Sequence, residues 1–229
     1  MKEKIQKLKR ASFLHKWYKR NLRKMMDNHG CFIKFPPYDS ALHQLIISTR
    51  DPVRYSAIAL ALQSIADEKI PGHLAEVGVY RGDTSRIIRR GLPQRTFYLF
   101  DTFEGFSSSD LDEKDERFRD TNLDLVKKNI GHTEHLEFRV GYFPETARGL
   151  EQERFSFVLL DVDKLKPTLA GLDFFYPRLS RGAYVFIHDY NSPESQYAVR
   201  KAVGQFMKDK PEQIMPLPDA GGSIVFRKI

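Results

Sequence analysis

Apolar and polar positions follow an alternating order along most of the chain. Short apolar runs predict strands at 73–77, 96–100, 135–140, 155–160 and 183–187, and amphipathic segments predict helices at 83–91, 122–130, 168–176 and 194–208. Two of the runs, F-S-F-V-L-L and A-Y-V-F-I, lack alternation, which is typical of strands covered on both faces. Strands that alternate with helices of this length predict a parallel sheet with right-handed crossovers.

The end of the chain has a different pattern. Residues 213–217 and 223–227 also predict strands, and only the turn-rich sequence P-D-A-G-G and its neighbours separate them. Two strands joined this closely must be antiparallel, because a parallel pair requires a long crossover. The sequence therefore predicts an α/β, Rossmann-like fold with a mostly parallel seven-stranded sheet that ends in an antiparallel hairpin.

Upstream of this alternating region the pattern is helical. The spacing predicts a short helix over 39–49, and Asp51-Pro52 predicts the capped start of a second helix. We therefore assign residues 1–70 to an N-terminal helical extension or lid and residues 71–229 to the main domain.

The basic charge of the chain lies in one segment. The formal net charge is +7, but residues 1–29 hold ten Lys or Arg and two acids, which leaves 27 basic and 28 acidic groups elsewhere. Residues 3–27 predict one amphipathic helix with apolar residues at spacings of three and four. This helix has three interpretations. In the first, its apolar stripe packs on the domain or on a second subunit of a homo-oligomer. In the second it lies on an anionic membrane surface, and in the third it contacts nucleic acid. The first interpretation is favoured, peripheral membrane contact is the second, and no nucleic-acid partner is expected.

Composition excludes several other classes of protein. The single cysteine, Cys31, excludes an internal disulfide and a multi-cysteine zinc site. No apolar run approaches the roughly 18 residues of a membrane-spanning helix, and the N-terminal residues lack the continuous apolar segment of a secretory signal. The expected compartment is therefore cytoplasmic.

The turn after the first predicted strand is the first candidate site. The strand closes on Glu76, the turn contains Gly78 where backbone is expected to approach a ligand, and Asp101 ends the second strand. A carboxylate at that place binds ribose hydroxyls in nucleotide-binding Rossmann folds. Because the turn lacks the G-x-G-x-x-G spacing, NAD is disfavoured. The chain is therefore predicted to bind another adenosine-bearing cofactor.

S-adenosylmethionine (SAM) fits the chemistry of this turn. Backbone N–H groups at the start of the helix over 83–91 can bind its carboxylate, and Glu76 can accept from its ammonium. Asp101 would bind the ribose, and residues 140–146 would border the adenine. The residues predicted to contact SAM are Glu76, Gly78, Tyr80, Arg81, Thr84, Ser85, Asp101, Thr102, Gly141, Tyr142, Phe143 and Asp161.

Polar side chains also follow the fourth and fifth predicted strands. Asp161 and Asp163 come after F-V-L-L, and His188-Asp189 come after Y-V-F-I. Ligands bind at the carboxyl ends of strands in open α/β sheets, so these side chains form a second candidate site. Asp161 and Asp189 are candidate ligands for Mg²⁺, which would polarise a substrate hydroxyl. The alternative is that these residues only cap a helix and hydrogen-bond the end of the sheet.

Residues from about 70 to 229 resemble the macrocin O-methyltransferase (TylF/MycF-type) family, class I SAM-dependent enzymes that methylate sugar hydroxyls on natural products. The matching segments are I-P-G-H-L-A-E-V-G-V-Y-R-G, L-F-D-T-F-E-G-F, G-Y-F-P-E-T, L-D-V-D-K-L-K-P-T and F-Y-P-R-L-S-R-G-A-Y-V-F-I-H-D-Y. The resemblance implies the class I methyltransferase fold. It also implies SAM binding at Glu76, Gly78, Asp101 and 140–143, and it places metal or base positions at Asp161, His188 and Asp189.

One position departs from the family pattern, which has two successive carboxylates before the tyrosine where this chain has His188-Asp189. Histidine is a poorer partner for Mg²⁺, and an imidazole can itself act as a general base. From the family resemblance as a whole, we expect an O-methyltransferase that acts on a hydroxyl of a sugar or glycosylated metabolite. Asp189 or His188 is the expected catalytic base, with or without a metal at Asp161 and Asp189.

Two rival interpretations stay open. The chain is alternatively a SAM-binding partner subunit without transferase activity, or a surface-associated protein that acts through its basic helix. In the favoured interpretation, the acidic stretch 107–120 and the N-terminal segment cover the acceptor.

Overall fold

The computed structural model describes residues 40–106 and 117–229. In this part of the chain the helices are α1 (Ser40–Ser48), α2 (Pro52–Asp67), α3 (Asp83–Gly91), α4 (Leu123–Ile130), α5 (Leu165–Phe175) and α6 (Ala198–Phe206). The strands are β1 (His73–Val77), β2 (Phe97–Asp101), β3 (Leu136–Val140), β4 (Phe155–Leu160), β5 (Leu179–Ile187), β6 (Met215–Pro216) and β7 (Ile224–Arg227). The predicted amphipathic helix over 3–27, Cys31 and most of the acidic stretch 107–120 lie outside the described residues.

The strands form one sheet in the order β3-β2-β1-β4-β5-β7-β6. The first five strands in this order are parallel, whereas β7 is antiparallel to both β5 and β6. The predicted fold, a mostly parallel seven-stranded sheet with an antiparallel end, is confirmed. Because the chain order reverses between β1 and β4, the carboxyl ends of these two strands form the place where ligands bind in such sheets.

Helices cover both faces of the sheet. All six residues of β4 are buried, which explains why F-S-F-V-L-L shows no alternation. On one face, strand residues such as Val158 pack with Phe175 of α5 and Val203 of α6. On the other face, Phe157 packs with Ile58 of α2 and Ile88 of α3.

The structure moves the predicted domain boundary. Ile58, Leu62 and Ile65 of α2 are fully buried against the sheet, and Pro37–Ile229 form one compact unit. The predicted boundary at residue 70 falls inside this compact unit, and the apolar face of α2 completes the core of the main domain. None of the helices in 40–106 and 117–229 has the length and apolar character needed to cross a bilayer.

Other differences concern the ends of elements. Strand β5 begins at Leu179, earlier than the predicted residue 183. Helix α6 begins only at Ala198, because Gln196 and Tyr197 adopt left-handed backbone angles that a helix cannot contain. Strand β6 is reduced to Met215–Pro216, in keeping with a proline that has no N–H to donate to the sheet.

Candidate functional site

A cavity of about 370 Å³ opens at the carboxyl ends of the central parallel strands. The sequence-predicted residues that line it are Glu76, Gly78, Tyr80, Arg81, Thr84, Asp101, Thr102, Gly141, Tyr142, Phe143, Asp161, His188 and Asp189. The structure thus brings together residues from β1, β2, β4 and β5 and from the segment after β3. Ser85 was also predicted to contact the cofactor, but it does not line the cavity.

The backbone is strained just after each of the four strands that border the cavity. Tyr80, Phe103, Asp163 and Asp189 follow β1, β2, β4 and β5, and their φ angles are 51°, 56°, 56° and 57°. Such left-handed angles cost about 1–3 kcal/mol for a residue other than glycine and cluster at functional sites. The sequence pattern did not predict them.

Gly78 is required by the approach of two strand ends. Its φ is +88°, and a Cβ placed on it would lie 1.9 Å from the carbonyl oxygen of Asp161. This glycine was predicted to let the backbone approach a ligand. The structure corrects that reason, because the backbone after β4 already fills the space that a side chain would need.

Asp101 holds the glycine turn in place. Its Oδ2 accepts from the backbone N–H groups of Val79 (2.7 Å) and Tyr80 (2.8 Å), and its Oδ1 accepts from that of Phe103 (2.7 Å). A carboxylate has about four acceptor positions. Asp101 therefore has one position left for a ribose hydroxyl, rather than two free oxygens.

Glu76 is a buried carboxyl group at the floor of the cavity. Only 1% of the residue is exposed, and its Oε2 accepts from the Ser85 hydroxyl at 2.5 Å. Burial raises the pKa of Glu76 to about 8, although the hydrogen bond from Ser85 opposes the shift. Ser85 thus acts by holding Glu76. A cation beside Glu76 would favour its charged form, as the ammonium of SAM would do.

Arg54 of α2 is a residue of the cavity that sequence reasoning missed. Its Nη2 donates to Asp161 Oδ2 at 2.6 Å and to the Thr84 hydroxyl at 3.2 Å. The sequence contained one signal for it. Arg54 extends the buried stripe of Ile58 and Leu62 at a spacing of four, so it occupies a core-facing position of an apolar helix.

The polar residues after β4 and β5, Asp161, Asp163, His188 and Asp189, form a strand-end cluster. His188 Nδ1 lies 3.0 Å from Asp161 Oδ1 and 2.8 Å from Asp189 Oδ2. Burial lowers the pKa of His188, but the charge of Asp161 and the two hydrogen bonds outweigh this effect and raise it to about 10. His188 is therefore a hydrogen-bond donor at neutral pH. This argues against the prediction that His188 is the general base.

The same contacts act on Asp161. Burial raises the pKa of its carboxyl group, but the charges of His188 and Arg54 outweigh burial and hold this pKa well below its usual range. Asp161 is thus a fixed anion between two cations.

Asp163 has the opposite character. The residue is 8% exposed, and burial together with the negative charges of Asp189 and Asp161 raises its pKa to about 8. A carboxyl group that exchanges its proton near neutral pH suits general-base catalysis. Sequence reasoning placed Asp163 at the strand end but did not assign it this role.

The predicted metal ligands do not fit Mg²⁺ in this arrangement. Ligand atoms of Asp161, His188 and Asp189 lie within 4.8 Å of one another. Both oxygens of Asp161 are nevertheless bound, one to Arg54 and one to His188. Mg²⁺ prefers oxygen ligands, and here it would meet a histidine nitrogen and a guanidinium beside its carboxylate.

The mouth of the cavity is aromatic. The rings of Tyr80 and Phe118 meet edge to face at 5.1 Å, and those of Phe106 and Phe118 do so at 5.3 Å. The Tyr80 hydroxyl donates to Asp120 at 2.7 Å, and the Arg81 guanidinium also pairs with Asp120. Tyr80 and Arg81 were predicted to contact SAM, whereas their described contacts also shape this aromatic rim (Tyr80, Phe106 and Phe118).

The segment after β3 also lines the cavity, through Gly141, Tyr142 and Phe143. The Gly141 N–H donates to the Asp101 carbonyl at 3.0 Å, which ties this segment to β2. Phe143 is buried and stacks on Phe175 at 5.7 Å. It therefore contributes mainly to the core and presents little surface to the cavity. On the β2 side, the Thr102 hydroxyl donates to the Gly105 carbonyl at 2.6 Å.

Solved structures share this architecture. The O-methyltransferase NovP aligns with a TM-score of 0.67 and 21% identity over 77% of this chain and 80% of its own. An O-methyltransferase from Bacillus cereus in complex with SAH aligns with a TM-score of 0.54 and 15% identity over 84% and 92%. These likenesses show the class I methyltransferase fold.

Sequence relatives point in the same direction. The chain is similar to the 8-demethyl-8-(2,3-dimethoxy-alpha-L-rhamnosyl)-tetracenomycin-C 4'-O-methyltransferase of Streptomyces olivaceus, with 27% identity over 172 residues, 67% of this chain and 66% of the relative. It is also similar to the mycinamicin III 3''-O-methyltransferase of Micromonospora griseorubida, with 26% identity over 170 residues, 65% of this chain and 66% of the relative. Each match spans just under two thirds of the relative.

The family assignment rests on a family model that matches most of the chain. Residues 48–219, which include α2, the parallel strands and the strand-end cluster, match the family model named Macrocin-O-methyltransferase (TylF). Each segment that carried the resemblance in the sequence contributes residues to the cavity lining. The chain therefore belongs to the macrocin O-methyltransferase (TylF) family.

Proposed function

We propose that this protein is a SAM-dependent O-methyltransferase whose acceptor is a hydroxyl of a sugar or glycosylated small molecule. The observation that carries the proposal is one cavity with two chemistries. On one side is a turn suited to SAM, and on the other is a buried carboxyl group, Asp163, whose pKa is about 8. The family and the named activities of the two relatives support the acceptor class.

The residues around β1 and β2 fit SAM. The backbone N–H groups at the start of α3 can bind its carboxylate, and buried Glu76 can bind its ammonium. Asp101 has one acceptor position for the ribose, and Gly141 and Tyr142 can border the adenine. The raised pKa of Glu76 supports this placement, because burial outweighs the charge of Arg54 and an ammonium ligand would further stabilise the charged carboxylate.

The residues after β4 and β5 would perform the acid–base step. SAM, when bound, would supply an electrophilic methyl group for the acceptor oxygen. Asp163 is the favoured general base, and Asp189, which contacts it, is the second candidate. Arg54 and His188 hold Asp161 and Asp189 in position, so the cluster is organised before the acceptor arrives.

The rival proposal of a SAM-binding subunit without transferase activity is less well supported. Its motive was the histidine at position 188, but the cluster retains a carboxyl group with a pKa close to neutral. Peripheral membrane contact through residues 1–29 and assembly as a homo-oligomer stay predictions.

Calorimetry and a paired acceptor assay test the proposal. The protein is titrated with SAM, and methyl transfer from radiolabelled SAM is then measured with glycosides and with their matched aglycones. We expect one SAM site for each chain and transfer to the glycosides only. Absence of SAM binding would refute the cofactor assignment, and transfer to the aglycones alone would refute the acceptor class. SAM binding without transfer to any acceptor would favour the partner-subunit alternative.

A further inference from the structure

Arg54 places a permanent positive charge beside the strand-end cluster. The residue is 8% exposed, and its Nη2 lies 2.6 Å from Asp161 Oδ2. A guanidinium stays protonated throughout the physiological pH range. The carboxylate that the family resemblance nominates as a metal ligand therefore already has a cation bound to one of its oxygens.

The other contacts of the cluster are also made by protein groups. His188 Nδ1 lies 3.0 Å from the second oxygen of Asp161 and 2.8 Å from Asp189 Oδ2. A divalent cation at this place would have to displace these hydrogen bonds. It would also lie close to the guanidinium, whose charge repels it through an interior of low dielectric constant.

We propose that Arg54 is a positioning residue that replaces a divalent metal in this site, and that methyl transfer by this protein requires no metal. The inference rests on the proposed function. Arg54 holds Asp161, Asp161 holds His188, and His188 orients Asp189 toward the acceptor. These contacts fix the positions of the side chains, as a metal bound to several ligands would otherwise do.

The transfer step balances without a metal. The acceptor hydroxyl gives its proton to a carboxylate of the cluster, its oxygen forms a bond to the methyl carbon, and the carbon–sulfur bond breaks. The electron pair of that bond stays on the sulfur, which loses its positive charge. No oxidant, reductant or further reactant is needed.

Binding of Mn²⁺ to the full-length protein gives a readout that does not depend on activity. Free Mn²⁺ has a strong electron paramagnetic resonance signal that is lost on binding. We expect the wild-type protein to leave this signal unchanged and EDTA to change kcat by less than about twofold, because the site holds its own cations. Removing the guanidinium with Arg54→Met should raise Mn²⁺ affinity by about tenfold or more, because the repulsion is lost.

Two further variants separate positioning from simple structural support. Arg89 is a matched control, since it is 9% exposed and donates to the Pro93 carbonyl away from the cavity. Arg89→Met should leave the Mn²⁺ signal and its EDTA response as in the wild type. Arg54→Lys keeps the charge and should stay without Mn²⁺ binding. Arg54→Lys should also recover part of the kcat that is lost in Arg54→Met. In both variants KM should change less than kcat.

The decisive contrary result is tight Mn²⁺ binding by the wild type, or complete inactivation by EDTA that Mg²⁺ reverses. Either would show that Arg54 does not exclude a metal. If Arg54→Met does not fold, the wild type and Arg54→Lys still decide the question. A wild type that binds SAM but methylates no glycoside would refute the proposed function, while the Mn²⁺ signal would still test the metal inference.

Discussion

The two ends of the cavity are organised by different forces. At the cofactor end (Glu76, Gly78 and Asp101), backbone N–H groups, a tight glycine turn and a buried carboxyl group fix the geometry. At the acceptor end, the strand-end cluster and Arg54 form a network of charges. The first end is therefore held mainly by contacts to backbone groups, and the second by contacts between charged side chains.

The largest effect is expected where the two ends touch. Gly78→Ala should destabilise the fold by about 3 kcal/mol or more, since it combines a steric clash with a left-handed backbone angle. In a chain of this size, such a loss lowers Tm by about 6–12 °C. Differential scanning calorimetry measures the change.

Gly204→Ala is the matched control for this substitution. Gly204 lies in α6, and a Cβ there meets nothing within 4 Å. Its replacement should be neutral or stabilising, because alanine favours helix more than glycine does. Equal stability of the two variants would show that β1 and β4 do not approach as closely as described.

The second prediction concerns a substitution that affects only the acceptor end. Asp163→Asn should lower kcat by about 10²–10⁴ fold, the range for loss of a general base, and leave SAM affinity within about twofold. The base must be ionised, and the pKa of Asp163 is about 8, so wild-type kcat/KM should rise with pH through this value. The variant should lose that rise.

A pH–rate profile with Asp189→Asn as comparison checks the assignment. If Asp163 is the base, Asp189→Asn reduces the rate but keeps a pH-dependent rise. If the rise of the rate with pH is lost in Asp189→Asn and kept in Asp163→Asn, the general base is Asp189.

The third prediction concerns a substitution at the cofactor end. Asp101→Ala should weaken SAM binding by about tenfold or more, since a charge-assisted hydrogen bond to the ribose is worth roughly 1.5–3 kcal/mol. The fold should also lose stability, because three backbone N–H groups lose their acceptor. Calorimetry with SAM and a thermal melt measure both effects. Unchanged SAM affinity in a folded variant would remove Asp101 from the cofactor site.

The smallest effect sharpens the role of Ser85. Ser85→Ala should change SAM affinity at neutral pH by no more than about fivefold, because Ser85 acts only through Glu76. Its hydrogen bond lowers the pKa of Glu76, so its loss should raise that pKa further. As the pH is lowered, the variant should therefore lose SAM affinity at a higher pH than the wild type does. A direct contact would instead weaken binding equally at every pH.

The sequence predicted most of the fold and the cofactor end for one physical reason. Strands covered on both faces must be continuously apolar, and the residues that follow them must meet at one edge of the sheet. Glu76, Gly78 and Asp101 could be found because they lie at the ends of two such strands. The reason for Gly78 was still wrong, because the backbone of Asp161 is distant in sequence and adjacent only after folding.

The acceptor end could be located but not explained from the sequence. The ion pair between Arg54 and Asp161 joins residues 107 positions apart. Arg54 was overlooked because its helix had been assigned to a separate extension. The protonation of His188 depends on this same carboxylate, so a sequence that shows only His-Asp-Tyr suggests a base where the fold produces a donor.

The position of Arg54 has a consequence for anyone who trims or recombines this chain. A fragment that begins at residue 70 would retain every segment that carried the family resemblance, yet it would discard α2 and with it the guanidinium beside Asp161. A chimaera joined at that point would pair the acceptor residues of one parent with the arginine, or its substitute, from another. A fragment that keeps the whole cavity lining therefore begins before Arg54, well ahead of the first strand.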